Sequence, residues 1–410
     1  MSIHLQELLS AKKVLLLQGP MGNFFAEFAS WLSQYSIECI KLNFNGGDRY
    51  FSKNIENCID YTGSLDEFSD WLGQFIVEQN IDAIVCFGDC RLYHQIAKQE
   101  SLKIGVRFFA FEEGYIRPDY ITFEKNGVNF YSDFVETFIE NDHNIQDGVS
   151  SSTEVTNNRF SLMVCSAILY YWFWVIAQSQ YPNYRHHRDI APRKELYFWC
   201  ISGLKRIKNY FLEKKKFRQF LHLYSKKYFI FALQVHNDSQ IQTHSDLKSV
   251  ESYIQLVIES FGQYANKNHH LVLKHHPMDR GYRDYTKLIQ QCAIKNNVQG
   301  RVHYFCDIHF PSLLKHGLGM VTVNSTTGLQ ALFHNVPVKA LGHAIYNLPR
   351  LTNQNSLNEF WTDPGEVDEA YFKYYRKALI QFSQLNGAFY GKMPWMDKFN
   401  VEYKSSNEKS

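Results

Sequence analysis

Leu271-Val272-Leu273-Lys274-His275-His276-Pro277 is a short apolar run stopped by basic residues and a proline. Further on, Met320-Val321-Thr322-Val323 empties into Asn324-Ser325-Thr326-Thr327-Gly328. Each reads as a buried strand ending in a polar turn, and the second turn leads into a helix. Strand ends of this kind border the ligand crevice in an open parallel sheet. A His-Pro turn beside a hydroxyl-rich helix start would form an anion site without a metal.

The same alternation extends outward. Tyr228–Gln234, His270–Lys274, Val302–Phe305, Gly319–Val323 and Val336–Leu341 read as strands. Helices are predicted over Ser249–Asn266, Tyr282–Asn296, Ile308–Lys315 and Thr327–His334. The first third repeats the pattern, with strands at Lys13–Leu17, Glu38–Phe44, Ala83–Phe87 and within Lys103–Glu112. Its helices fall at Phe24–Gln34, Ser64–Gln79 and Arg91–Gln99. Strands alternating with helices of this length predict parallel sheets covered on both faces. The expected fold class is α/β, with two Rossmann-like domains facing a cleft. The boundaries read as 1–140, a middle segment 141–226, 227–365, and a long C-terminal helix with its tail over 366–410.

The middle segment differs in kind. Asn141–Asn158 is a polar loop, and Ser161–Ala177 then runs seventeen residues without a charge, through Tyr170, Tyr171, Trp172, Phe173 and Trp174. Arg185–Lys227 carries thirteen Lys and Arg against Asp189, Glu195 and Glu213. The apolar run falls short of the about 20 residues of a spanning helix. It fits either a helix buried between domains or one lying in a membrane interface. Its basic neighbour is either a solvated helix face or an attachment to anionic lipid.

Composition narrows the class. The 43 Lys and Arg nearly balance the 41 Asp and Glu, so no overall field points to nucleic acid. None of the eight cysteines forms a C-x-x-C pair, which favours buried thiols in a reducing compartment. Val14–Leu17 is too short for the core of a signal peptide, so a cytoplasmic chain is expected.

Six stretches could carry chemistry. His276 beyond a strand can donate to a phosphate oxygen, with Pro277 fixing the turn and Lys274 adding charge, although a His-Pro turn also serves as plain structure. Ser325, Thr326 and Thr327 fit a helix start that binds phosphate, or one that is merely capped. Gln234, His236, Asn237 and Asp238 crowd polar groups at another strand end, where Asp238 reads as base, nucleophile or Asx turn. Glu112 and Glu113 are adjacent on a strand, so one at most faces a cleft, and Arg117 could hold one of them. Carboxylates from facing domains suit glycosyl transfer. Gln18-Gly19-Pro20 and Asn45-Gly46-Gly47-Asp48 are glycine-bearing turns that match no dinucleotide or ATP motif and read as the acceptor side. A D-x-D clamp is missing, and no metal set stands out.

As an ordered set, these stretches resemble the bacterial capsular-polysaccharide biosynthesis/export family, whose KpsS/LipB-type members are β-Kdo transferases. The resemblance covers most of the chain outside about residues 141–222. It implies a GT-B-like arrangement that uses CMP-Kdo as donor, with no cofactor or metal. By that resemblance His276, Ser325 and Thr326 would bind CMP. Asp238 would match the nucleophile, and Glu112 the first acidic position. The family's acceptor is a phosphatidylglycerol-type lipid, which implies peripheral attachment to the cytoplasmic face of an anionic membrane beside other capsule proteins. Rival readings are transfer of another CMP-activated acid such as sialic acid, or of a nucleotide-linked polyol phosphate. From another class comes a non-catalytic assembly factor for capsule export.

Overall fold

Hydrophobic residues at every second position of the first strands fall into two separate cores. Val14, Leu16, Ala83 and Val85 enter one, while Leu15, Leu17, Ile84 and Cys86 enter the other. This is the signature of a sheet buried on both faces. The computed structural model describes residues 2–140, 153–187, 192–236, 247 and 249–397. The chain divides into two units, Met1–Lys194 with Lys377–Ser410, and Glu195–Arg376.

In the first unit β1 (Lys13–Leu16), β2 (Glu38–Asn43), β3 (Asn57–Asp60), β4 (Ala83–Phe87) and β5 (Arg107–Glu113) run parallel in the order β5-β4-β1-β2-β3. The next strand, β6 (Tyr120–Lys125), returns antiparallel to β5. Helices Ile3–Leu8 and Phe24–Ser33 cover one face, and Phe68–Gln79 with Leu92–Ile104 the other.

The second unit holds a wholly parallel sheet of β7 (Tyr228–Ala232), β8 (His270–Lys274), β9 (Val302–Phe305), β10 (Gly319–Thr322) and β11 (Val338–Ala340), ordered β11-β10-β7-β8-β9. Helices Val250–Tyr264 and Thr286–Lys295 pack on one face, with Phe360 and Trp361 sealing the core. Across the other face lies the helix Pro192–Tyr224, whose Phe220 ring meets Tyr228 at 5.0 Å and Phe305 at 5.6 Å. Finally Glu369–Ser383 forms the long C-terminal helix, and β12 (Gln384–Asn386) pairs antiparallel with β6 in the first sheet.

Three differences from expectation have physical causes. The middle segment is no module of its own: its aromatic helix, Phe160–Ile176, belongs to the first unit and nearly all of its basic helix to the second. Asn45-Gly46-Gly47-Asp48 is not an open turn but the start of a helix, Gly46–Ser52, because the Asn45 side chain accepts from the N–H groups of Gly47 and Asp48. The C-terminal segment 366–410 is divided, and from Lys377 onward it joins the N-terminal unit, since β12 completes its sheet and Trp395 packs on Trp31 at 4.9 Å.

Candidate active site

Each sheet reverses its strand order once, and such a reversal is where an open α/β sheet places its ligand. In the first unit the reversal lies between β1 and β4. Gly19 follows β1, and its carbonyl oxygen accepts from Arg91 Nη1 at 3.4 Å, beyond β4. Gly88, at φ +73°, makes the turn between them. His94 anchors that turn: its Nδ1 lies 2.6 Å from the Gly88 carbonyl oxygen, and burial holds the ring neutral, with a pKa lowered to about 3.

Glu112 ends β5 beside this turn. A Cβ placed on Gly88 would lie 3.6 Å from both Arg91 Nε and Glu112 Oε2, so guanidinium and carboxylate share one small space. Burial raises the Glu112 pKa to about 7 against the opposing pull of the Glu113 N–H, which donates to it at 3.0 Å. A carboxyl poised near neutrality can give and take a proton. Strand alternation turns Glu113 to the opposite side from Glu112, where burial and then the Glu113 charge raise the pKa of the Tyr390 hydroxyl. Arg117 makes no ion pair with either glutamate among the described residues; its Nε donates to the Gly114 carbonyl at 3.2 Å.

The other first-unit residues singled out by sequence are turned inward. Gln18 Nε2 donates to Asp48 Oδ2 (3.0 Å), Tyr170 (3.2 Å) and Tyr184 (3.1 Å). Asn45 Nδ2 donates to the Tyr170 hydroxyl at 2.7 Å, which in turn donates to Asp48 Oδ1 at 3.1 Å. Gln18, Asn45 and Asp48 thus clamp the aromatic helix Phe160–Ile176 onto the helix Gly46–Ser52. Gly46 and Gly47 permit the approach, because a Cβ on Gly47 would lie 2.6 Å from the Tyr170 carbonyl oxygen.

In the second unit the reversal falls between β7 and β10, and the tail of β7 pins both motif turns. Gln234 Nε2 donates to Asn324 Oδ1 at 2.8 Å, while Gln234 Oε1 accepts the Asn324 N–H at 3.1 Å. Two residues on, His236 Nδ1 lies 2.5 Å from buried Asp279, in the turn that begins with His276-Pro277. Asn237 and Asp238 follow directly but lie outside the described residues.

Strand alternation separates the neighbours of His276. Lys274 Nζ donates to the carbonyls of His275 and Cys306, both at 2.7 Å, and burial lowers its pKa to about 8. His275 Nδ1 lies 2.7 Å from the Tyr304 hydroxyl, and desolvation lowers its pKa to about 4. Neither joins the strand-end constellation. His276 Nδ1 accepts the Met278 N–H at 3.2 Å, which assigns the proton of its neutral ring to Nε2. Ser325 Oγ accepts from Thr327 N (3.3 Å) and Thr327 Oγ1 (3.0 Å), leaving its own O–H to donate. The helix Thr327–Phe333 is short, and its Gly328 and Leu329 N–H groups bond to Ser325 and Thr326 carbonyls. An anion here would therefore meet side-chain donors rather than a helix end. Among the described residues no three His, Cys, Asp or Glu side chains converge as a metal site would need.

Residues 82–390 match the family model described as capsule polysaccharide biosynthesis protein. The chain belongs to that family. It is 41% identical over 404 residues, 96% of each chain, to the capsule polysaccharide modification protein LipB of Neisseria meningitidis serogroup B. It is 38% identical over 385 residues, 93% of this chain and 98% of the other, to the capsule polysaccharide export protein KpsS of Escherichia coli. A solved structure, Thermosulfurimonas dismutans KpsC, beta Kdo 2,7 transferase, aligns with a TM-score of 0.39 at 13% identity, over 88% of this chain and 98% of that one.

Within this capsule-family chain, sequence reasoning passed over three residues that shape the strand ends. Arg91 carried a usable signal, as a lone cation directly after a strand-end turn. Asp279 stood three residues beyond His276 and could have been read as its turn's anchor. Tyr346 gave none: its hydroxyl reaches the Ser325 carbonyl from a loop far along the chain.

Proposed function

We propose that this chain is a glycosyltransferase that moves Kdo from CMP-Kdo onto a phosphatidylglycerol-type membrane lipid, starting the linker of a capsular polysaccharide. Family membership supports a role in capsule synthesis. The observation that carries the donor reading is the tail of β7, which ties Asn324 through Gln234 and Asp279 through His236, and runs straight into Asn237 and Asp238. Neutral donors suited to one phosphate support it, namely His276 Nε2–H and the Ser325 hydroxyl, to which Thr326 would add its own.

In this reading the bond between the anomeric carbon and the CMP phosphate oxygen breaks, and the electron pair leaves with CMP. The His276 and Ser325 donors hold the departing phosphate. Where Asp238 attacks the anomeric carbon, the acceptor hydroxyl oxygen then displaces it and gives its proton to Glu112, or to Glu113 in its place. Where Asp238 instead activates the hydroxyl, it takes that proton as the acceptor oxygen bonds to the anomeric carbon, and Glu112 or Glu113 relays it away. A CMP-sugar has a single phosphate and calls for no carboxylate-held metal clamp. The chain works at the cytoplasmic face of the inner membrane as a peripheral protein, with other capsule biosynthesis or export proteins as candidate partners.

Product analysis with CMP-Kdo and a fluorescent phosphatidylglycerol analogue tests this directly. The expected product is the Kdo-bearing lipid, with CMP release lost in Asp238→Ala and strongly reduced in His276→Ala. Full CMP release by both variants would sink the mechanism. Preference for CMP-sialic acid would replace the donor, and no affinity for CMP would favour the non-catalytic assembly factor.

A further inference from the structure

We infer that the helix Pro192–Tyr224 is the surface by which the protein docks on an anionic lipid bilayer. It deepens the reading above by naming the element that meets the membrane, and rests on that reading only for the lipid acceptor. The helix is fixed to the second unit by one face, where Phe217 and Phe220 are buried against β7 and β9. Its opposite face is apolar and in water. Tyr197, Leu204, Ile207 and Phe211 are 62%, 69%, 61% and 72% exposed. Their spacing of seven, three and four residues puts them on one stripe of an α-helix. Large apolar side chains this exposed, in a row, mark a surface that meets something.

Charge says what that is. Between Lys194 and Arg218 the helix carries eight Lys and Arg and two Glu. Both acids are spent inward. Glu195 is fully buried and accepts from the Tyr282 hydroxyl, and Glu213 accepts the N–H groups of Cys306 and Asp307. What faces solvent is therefore apolar and cationic only. Lys208, Lys215 and Arg218 are exposed one or two turns from Leu204 and Phe211, on the same arc as the stripe. On the adjoining side, Lys205, Lys208, Lys216 and Arg283 border a cavity of about 400 Å³. Apolar residues flanked by exposed cations on one helix suit the headgroup boundary of an anionic bilayer, where the stripe enters the acyl edge and the cations meet phosphates. No described helix is long and apolar enough to cross a membrane.

The test uses the full chain and vesicles alone, without donor or acceptor, so that it can fail while the glycosyl-transfer reading stands, and the reverse. Vesicles of phosphatidylglycerol and phosphatidylcholine are compared with phosphatidylcholine alone by flotation. Binding is expected to need phosphatidylglycerol and to weaken with salt. Leu204→Gln/Ile207→Gln/Phe211→Gln should lower the partition coefficient by about tenfold or more, with circular dichroism and Tm unchanged because the side chains are exposed. Lys208→Gln/Lys215→Gln/Arg218→Gln should abolish the phosphatidylglycerol preference. Undiminished binding by the apolar variant, or equal binding to phosphatidylcholine, overturns the proposal. So does a dimer in solution that the apolar variant dissociates, which would assign the face to a second copy of the chain.

Discussion

Glu124 is fully buried in β6, next to the hydroxyls of Ser132, Ser383 and Tyr115. Desolvation raises its pKa from 4.5 to about 8. The folded chain therefore keeps a proton that the unfolded chain has lost, and the stability gained is full below the unfolded value of 4.5 and disappears as pH rises through about 8. The loss can reach about 1.4 kcal/mol per pH unit across that window. Glu124→Gln keeps the neutral shape without the titration, so its Tm should fall less than that of the native protein between about pH 5 and 8. Equal slopes by calorimetry would exclude Glu124 as the source. Glu112 should govern activity in the opposite direction. As the proposed receiver of the acceptor hydroxyl's proton it must first be ionised, so turnover should climb as pH rises through about 7. Glu112→Gln should lower kcat about 10²–10⁴-fold while CMP affinity, which the proposed function assigns to His276 and Ser325, stays as it was. If Glu113→Gln shows that loss instead, the two glutamates exchange roles.

At the scale of elements, the clamp on the aromatic helix Phe160–Ile176 depends on close approach. Gly47→Ala would press a methyl on the Tyr170 backbone, which cannot turn aside. The expected cost is about 1–3 kcal/mol, read as a lowered Tm. The strand-end bridge of the second unit should act on binding instead: Gln234→Ala leaves Asn324 without two bonds and should weaken CMP affinity about tenfold with little change in fold. These elements also show what the sequence could reveal. The parallel strands β1, β4, β5, β7, β8 and β10 were legible because each is a largely buried apolar run, whereas β2, β9 and β11 were legible by their alternation with helices. Strand β3 was not, since Asn57-Cys58-Ile59-Asp60 is a largely exposed edge with no run to read. Nor was β12, three residues defined only by the partner it meets. The His276 and Ser325 turns could be found by their position after strands. Their orientation could not, because the inward turn of Lys274 and His275 depends on carbonyls and a tyrosine from β9 and the loop after it. For Gln18, Asn45 and Asp48 the polar pattern was visible, but their partners, Tyr170 and Tyr184, lie more than a hundred residues away.

At the scale of the molecule, two units with cores of their own mean two stabilities. Trp395 packs in the core of the first unit beside Phe28 and Trp31. Trp395→Ala should destabilise the first unit by about 3–5 kcal/mol, splitting a calorimetric trace into two transitions while CMP still protects the second. A single shifted transition would show that the units unfold together. The path of the chain carries one more consequence. The sheet that begins with β1 is finished only by β12, and the boundary back into its unit falls inside the helix Glu369–Ser383. During synthesis the second unit is complete while the first still waits for its last strand and for Trp395. The half translated first is therefore the half completed last, and until Gln384–Asn386 has been made its β6 edge stays open for other strands to pair with.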